Sequence, residues 1–369
     1  MIRQTQPQSL INKVAATMIV AIASVVILYY GKPIFLPLAF SGIIALLLYP
    51  LCRFFENNGF PRTLAVLLSM FILVCILTGI ILLLSTQVYR FVADLPDIKE
   101  KFSNALNDIE WFLFKNYNIQ INTGESSLFQ GSASKILDSG AVLVGGTIST
   151  FIDIFNFLGL LPFYIFLMLL YRSSFKQFFL NLTAPDKHRI VTRILYQVQK
   201  VVQNYIIGLL TVMSIVAALT SASLFIIGVD YAIFFGCLAA MLMVIPYLGL
   251  IIGALLPAIY ALLTKDSGWY AFAVIVSFAF IQFMEGNIIT PKITGGRVNI
   301  NPLAAIIALV AGGYLWGMGG LIISLPFVAM LRVILNNVPS LKHYGFLLGT
   351  EIYSRKNRRK MRRGGDEII

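Results

Sequence analysis

The stretch Tyr231–Leu263, YAIFFGCLAAMLMVIPYLGLIIGALLPAIYALL, decides the fold. It carries no charged residue, and it is too long for one membrane crossing, which takes about 20 residues as a helix. Pro246-Tyr247-Leu248-Gly249 interrupts it, with Gly253 and Pro257 beyond, so each half holds about 15 to 17 residues and is short for a perpendicular crossing. Pro302–Leu335 repeats the design, with breaks at Gly312-Gly313, at Gly317, Gly319 and Gly320, and at Pro326. An uninterrupted apolar span precedes each, Ile206–Val229 and Tyr270–Ile289.

The remaining sequence has the same character. Hydrophobic residues make up 58% of the 369 and charged residues 12%, with a mean hydropathy of +0.85, beyond what a water-soluble core can hide. Further spans are expected at Val14–Tyr30, Phe35–Tyr49, Leu64–Ser85 and Val142–Tyr171. The first follows only Arg3 and Lys13 and has no small-residue cleavage site, so it reads as a retained helix. Cys52, Cys75 and Cys237 lie in or beside apolar segments without CxxC spacing, which supports neither a disulfide framework nor a zinc site.

Charge distribution predicts orientation. Arg172–Lys200 has six basic residues and one acid, whereas Gln87–Gly140 has five basic residues and seven acids. Basic loops stay in the cytoplasm. The first segment is therefore expected inside and the second outside, with the basic turn Arg53–Arg62 inside and both termini cytoplasmic. The tail from Arg332 holds nine Lys or Arg against three acids. Its Arg355–Arg363 run is expected to anchor the chain beside the anionic inner leaflet rather than to bind nucleic acid.

Five regions follow: 1–86, the amino-terminal tail and first three transmembrane helices; 87–140, an extracytoplasmic amphipathic segment; 141–202, a fourth transmembrane helix and a basic cytoplasmic helix; 203–335, a transport core; and 336–369, a basic tail. In the second, Val88, Val92, Leu95, Ile98, Phe102, Leu106, Ile109 and Leu113 recur at helical spacing, and the Gly- and Ser-rich Asn118–Ser134 reads as a loop. In the third, Ile190, Val191, Ile194, Leu195, Val198 and Val202 form an apolar stripe. It fits either a basic helix along the inner leaflet or an extension of the next span.

With this orientation the two broken units enter the membrane from opposite sides, the arrangement of inverted-repeat transporters, where irregular backbone lines a cavity. The same glycines would also permit close packing of ordinary helices, and both readings stand. The fold expected is an all-α polytopic membrane protein with about eight membrane segments, including two Gly/Pro-broken hairpins in an inverted repeat.

Several motifs resemble the autoinducer-2 exporter family of bacterial permeases. They are Asp230-Tyr231-Ala232 through Ile245-Pro246-Tyr247-Leu248-Gly249, Glu285-Gly286-Asn287, Thr290-Pro291-Lys292, Gly295, Asn301-Pro302-Leu303, Gly312-Gly313 to Gly317-Met318-Gly319-Gly320 and Leu325-Pro326, with Tyr49-Pro50-Leu51 and Gly59-Phe60-Pro61-Arg62 earlier. Leu250 departs from the pattern, where members often have Pro. The resemblance spans roughly Val14 to Leu335. It implies a secondary transporter, some members being linked to export of small signalling molecules and others to sodium or lithium exchange for protons.

Charge within a bilayer is costly, about 2.5 to 3.5 kcal/mol on insertion scales, so it marks function. Two carboxylates lie in apolar spans, Asp153 near the outer end of its helix and Glu285. Counted from Trp269 at the outer interface, Glu285 is about 24 Å along its helix. Gln282 and Ser277 share its face. Asn287, about 200° away, could join only if the helix unwinds before Pro291. Pairing of Glu285 with Lys292 or a backbone amide is the structural alternative. The residues expected along a substrate or ion path are Glu285, Asn287, Gln282, Pro246, Gly249, Pro291, Gly312, Gly313 and Gly317.

Neither GxxxxGK nor HExxH occurs, and the expectation is a non-enzyme without cofactor or bound metal, coupled to H+ or Na+. Partners expected are a small polar solute or ion, membrane lipid and further copies of the chain. A sodium(lithium)/proton antiporter is the alternative within transport, and a non-transporting membrane scaffold the alternative outside it.

Overall fold

Pro33 and Pro302 stand at the starts of the helices Lys32–Asn57 and Pro302–Asn337, and Gly228, at φ +84°, follows the end of His188–Ile227. A computed structural model describes residues 10–94, 101, 104, 111, 114, 115, 148–243, 248–294 and 300–349. The helices are α1 (Leu10–Tyr30), α2 (Lys32–Asn57), α3 (Arg62–Ala93), α4 (Ile148–Leu170), α5 (Arg172–Asn181), α6 (His188–Ile227), α7 (Ala232–Leu242), α8 (Leu248–Thr264), α9 (Gly268–Met284), α10 (Thr290–Thr294), α11 (Pro302–Asn337) and α12 (Lys342–Leu347). A π-turn, Glu285–Ile289, joins α9 to α10. Among the described residues the extended pairing is a single bridge, Ile300 to Gly349.

Local chemistry sets these boundaries. Asn301 accepts the Ala304 N–H at 2.7 Å and Pro302 follows at the position where a missing N–H costs nothing, so α11 starts there. Ser267 caps α9 by accepting from Trp269 N. Between α2 and α3, Gly59 takes φ +90°, which a side chain would resist.

Among the described residues, five helical stretches are long and apolar enough to cross a membrane: Lys32–Asn57, Arg62–Phe91, Pro185–Ile227, Gly268–Ile293 and Pro302–Asn337. Shorter apolar helices cover Ala15–Tyr30, Gly159–Leu170, Ala232–Leu242 and Ile251–Thr264. Part of the expected fourth span, residues 142–147, falls outside the described residues, as do Leu95, Ile98, Phe102, Leu106, Ile109 and Leu113 of the outer stripe, the Asn118–Ser134 loop and the tail from 350.

The chain divides into two compact units, 1–66 with 156–205 and 297–369, and 67–155 with 206–296. In the first, α11 is a folded hairpin. Gly317 has φ 62° and ψ −139°, outside helical space, and the chain reverses there. A Cβ on Gly312 would lie 1.9 Å from Ser324 Oγ, twelve residues on, although a straight helix would separate the two by about 18 Å. The tip rests on the α1–α2 junction, where Trp316 Nε1 donates to Leu28 O at 2.8 Å. The stripe Ile190–Val202 forms the start of α6, an unbroken helix of 40 residues that continues into the apolar stretch Ile206–Ile227. Gln203 Nε2 donates to Leu46 O and Asn337 Nδ2 to Gln197 Oε1, each at 2.7 Å, and both fix the stripe against its own unit.

In the second unit Leu224, Phe235, Ala261 and Val274 centre an apolar core built from α6, α7, α8 and α9. The end of α3 joins it through Phe91, stacked on Phe234 with ring centroids 5.1 Å apart. Tyr231, held at φ 58° just before α7, donates its hydroxyl to Asp94, and this bond is the first cause of a phenol pushed up from 10.0 to about 12.

Candidate functional site

Close backbone approach builds the α7–α8 hairpin. A Cβ on Gly249 would lie 2.3 Å from Leu242 O, and one on Gly253 3.0 Å from Ala239 Cβ, so the two legs run against each other where only hydrogen fits. A Cβ on Gly236 would lie 2.1 Å from Ser221 Oγ, which seats α7 equally tightly on α6. Beside the hairpin, α9 buries Ala271, Val274, Phe278 and Ile281. Spacings of three and four residues define that face, and the next position on it is Glu285, 8% exposed.

Pro291 determines what surrounds this carboxylate. It has no N–H to give, and in a regular helix its ring would strike the carbonyl of residue 287. The helix widens instead: the Thr290 N–H reaches Glu285 O, five residues back. In an α-helix Thr290 would lie about 140° round from Glu285. The widened turn carries it to the same side, where its hydroxyl donates to Glu285 Oε1, while Gln282 Nε2 donates to Oε2 at 2.8 Å. Among the described residues no cation pairs with Glu285, and Lys292 is exposed.

A small crevice, with about 30 Å³ open to a water-sized molecule, lies next to this turn. Val216 and Thr220 of α6, Ala239 and Met243 at the end of α7, Gly249 of α8, and Phe278, Ile281 and Gln282 of α9 line it. Thr220 and Gln282 are its polar side chains. Gln282 thus stands in the crevice wall and at the carboxylate at once, linking the two. Val212, Val216, Ala240, Ile281 and Ile289 close the packing around them.

Residues 18–340 match the profile described as AI-2E family transporter. The chain belongs to the AI-2E transporter family. Its similarity to curated relatives runs nearly end to end. The Bacillus subtilis protein YrrI, provisionally named a transport protein, is 29% identical over 310 residues, 82% of this chain and 86% of its own. YueF of the same organism, named in the same way, is 25% identical over 83% of this chain and 84% of its own. The AI-2 transport protein TqsA of Escherichia coli is 24% identical over 83% and 86%. Apolar helices of spanning length in a chain of this family make it a multi-pass membrane protein.

The AI-2E fold places the residues singled out in the sequence unevenly. Gln282, Glu285 and Pro291 meet in the π-turn, and Gly249 joins them through the crevice. Asn287 does not: it is exposed and donates to Phe283 O at 2.9 Å, since the helix widens there rather than unwinding. Ser277 bonds back to Val274 O at 2.8 Å on its own helix. Pro246 lies outside the described residues, and so does the side chain of Asp153 in α4. Gly312, Gly313 and Gly317 shape the other unit's hairpin. Sequence reasoning missed Thr290 and Thr220. For Thr290 the signal was its place directly before Pro291, five residues after the carboxylate.

Proposed function

We propose that this AI-2E family member is a secondary transporter that moves a small polar solute or ion across the cytoplasmic membrane by alternating access, with Glu285 carrying a coupling H+ or Na+. The observation that supports it most is a buried carboxylate, held by two neutral donors and, among the described residues, paired with no cation, beside a small crevice that Gln282 also lines. An ionised carboxylate out of water is expensive unless compensated. A bound cation or proton removes that expense, and a conformation that exposes Glu285 removes it differently, so occupancy and conformation are linked. In this reading α1, α2, α3, α4, α6 and α9 cross the membrane and the α7–α8 and α11 hairpins enter from opposite faces as an inverted repeat, with both termini inside.

Sodium or lithium exchange for protons is the second reading. The Glu285 carboxylate, the Thr290 hydroxyl and the Gln282 amide oxygen offer the oxygen-rich set that hard cations prefer.

The test is flux in proteoliposomes under imposed proton or sodium gradients, with a panel of small polar solutes that includes AI-2, the cargo in the name of TqsA. Gradient-driven movement that Glu285→Gln abolishes, with unchanged elution and folding, supports coupling at this carboxylate. Proton flux driven by sodium alone favours the antiporter. No movement of any solute or ion under either gradient would leave a membrane scaffold as the better reading.

A further inference from the structure

We propose that α5 is an in-plane anchor whose aromatic stripe lies in the boundary layer of the bilayer and takes anionic phospholipid as its partner. Phe175, Phe178, Phe179 and Leu182 stand at i, i+3, i+4 and i+7, an apolar arc about 100° wide. A helix normally turns such an arc into a protein core. Here the four are 50%, 57%, 44% and 66% exposed, and no residue of α5 is buried. The far side carries Ser173, Gln177 and Asn181, with Leu180 half-buried among them, and Gln177 Nε2 donates to Asn181 Oδ1 at 3.0 Å. Low net hydrophobicity with a sharp division of faces marks helices that lie on a membrane surface.

Position brings the stripe to lipid. Tyr171, at φ −93° and ψ 13°, is the single residue between the apolar helix α4 and α5. Arg172 pairs with Glu56 at the end of α2 and lies 5.0 Å over the Tyr49 ring, so α5 starts level with the helix ends. Ten residues reach about 15 Å, half of a hydrocarbon core but ample for lying along one.

Charge selects the partner. Glu56 holds Arg172, which leaves Lys176, exposed at about 100° from Phe175, as the cation beside the stripe, and α5 holds no acid. A second copy docking face to face would set the same cations against each other. Anionic headgroups would pair with them, and long basic side chains beside an apolar face reach such headgroups readily.

The experiment uses the full chain, with Cys52, Cys75 and Cys237 replaced by Ala, carrying Phe178→Cys or Gln177→Cys labelled with an environment-sensitive fluorophore. Vesicles of phosphatidylcholine, with and without phosphatidylglycerol, carry a quencher on the upper acyl chain. Quenching at position 178 should exceed that at 177 severalfold and rise with phosphatidylglycerol, and Lys176→Glu should remove the rise. Equal quenching at the two positions would overturn the in-plane helix. Burial at 178 that ignores lipid charge would overturn the anionic partner, and a label shielded from lipid but cross-linking to another protomer would assign the stripe to protein. Should Phe178→Cys fail to elute as the parent does, Phe175→Cys and Leu182→Cys read the same face.

Discussion

Gly312 and Gly320 lie backbone to backbone: a Cβ on Gly320 would come within 1.8 Å of the Gly312 carbonyl oxygen. Eight residues on a straight helix would be about 12 Å apart, so this contact exists only because Gly317 reverses the chain. The long apolar run Pro302–Asn337 is thus a hairpin whose legs close on glycine.

Gly320→Ala should therefore destabilise, since the atom it meets is backbone and the legs must part. A cost of about 1 to 3 kcal/mol is expected from overpacking. Gly79→Ala is the control: nothing lies within 4 Å of a Cβ there, and relief of glycine's helical penalty should leave stability unchanged or slightly raised. Thermal unfolding in detergent compares them, and equal midpoints would contradict the closed hairpin.

The bond from Tyr231 to Asp94 fastens the end of α3 to the base of the α7–α8 hairpin. Because the folded state raises the phenol from 10.0 to about 12, its contribution is fully present below pH 10 and is lost as pH climbs from 10 to 12. Wild-type protein should show this alkaline loss in stability measured between pH 9 and 12. Tyr231→Phe, which has no such proton, should lack that component while keeping its ring contact with Phe91. An identical alkaline profile in both proteins would assign the loss to other groups.

Orientation rests on loop charge. Single cysteines at Ser126 and Lys187 in a cysteine-free background should label differently with a membrane-impermeant thiol reagent on intact cells, the first readily and the second poorly. The reverse order, or equal labelling, would refute the assignment of Gln87–Gly140 to the outside.

Much of this fold is legible in sequence because Gly and Pro act locally: Gly249 falls at the start of α8, and the break at Gly312–Gly320 spans the reversal in α11. The pairing of Gln282 with Glu285 follows from one turn of regular helix. Thr290 and Asn287 do not follow, since a count of 100° per residue fails once Pro291 shifts the register. Nor does hydropathy tell a stripe facing protein, as at Ile194–Val202, from one facing outward, as on α5. Only tertiary contact distinguishes them.

That register shift supplies the sharpest prediction. Thr290→Val removes the hydroxyl that donates to Glu285 Oε1 while keeping shape, whereas Thr290→Ser keeps the donor. If the pair works as a unit, Val should lower gradient-driven flux about tenfold or more, in line with about 1.5 to 3 kcal/mol for a hydrogen bond to a charged group, and Ser should retain most of it. Pro291→Ala restores an N–H and removes the ring's clash, so the helix can close to i→i+4 bonding and swing Thr290 away from the carboxylate. It should then resemble Thr290→Val in flux although position 290 is unchanged, and the double variant should be no worse than either alone. Additive losses in the double variant, with all three proteins folded alike by elution and thermal unfolding, would mean that Pro291 acts elsewhere and that the π-turn does not serve Glu285.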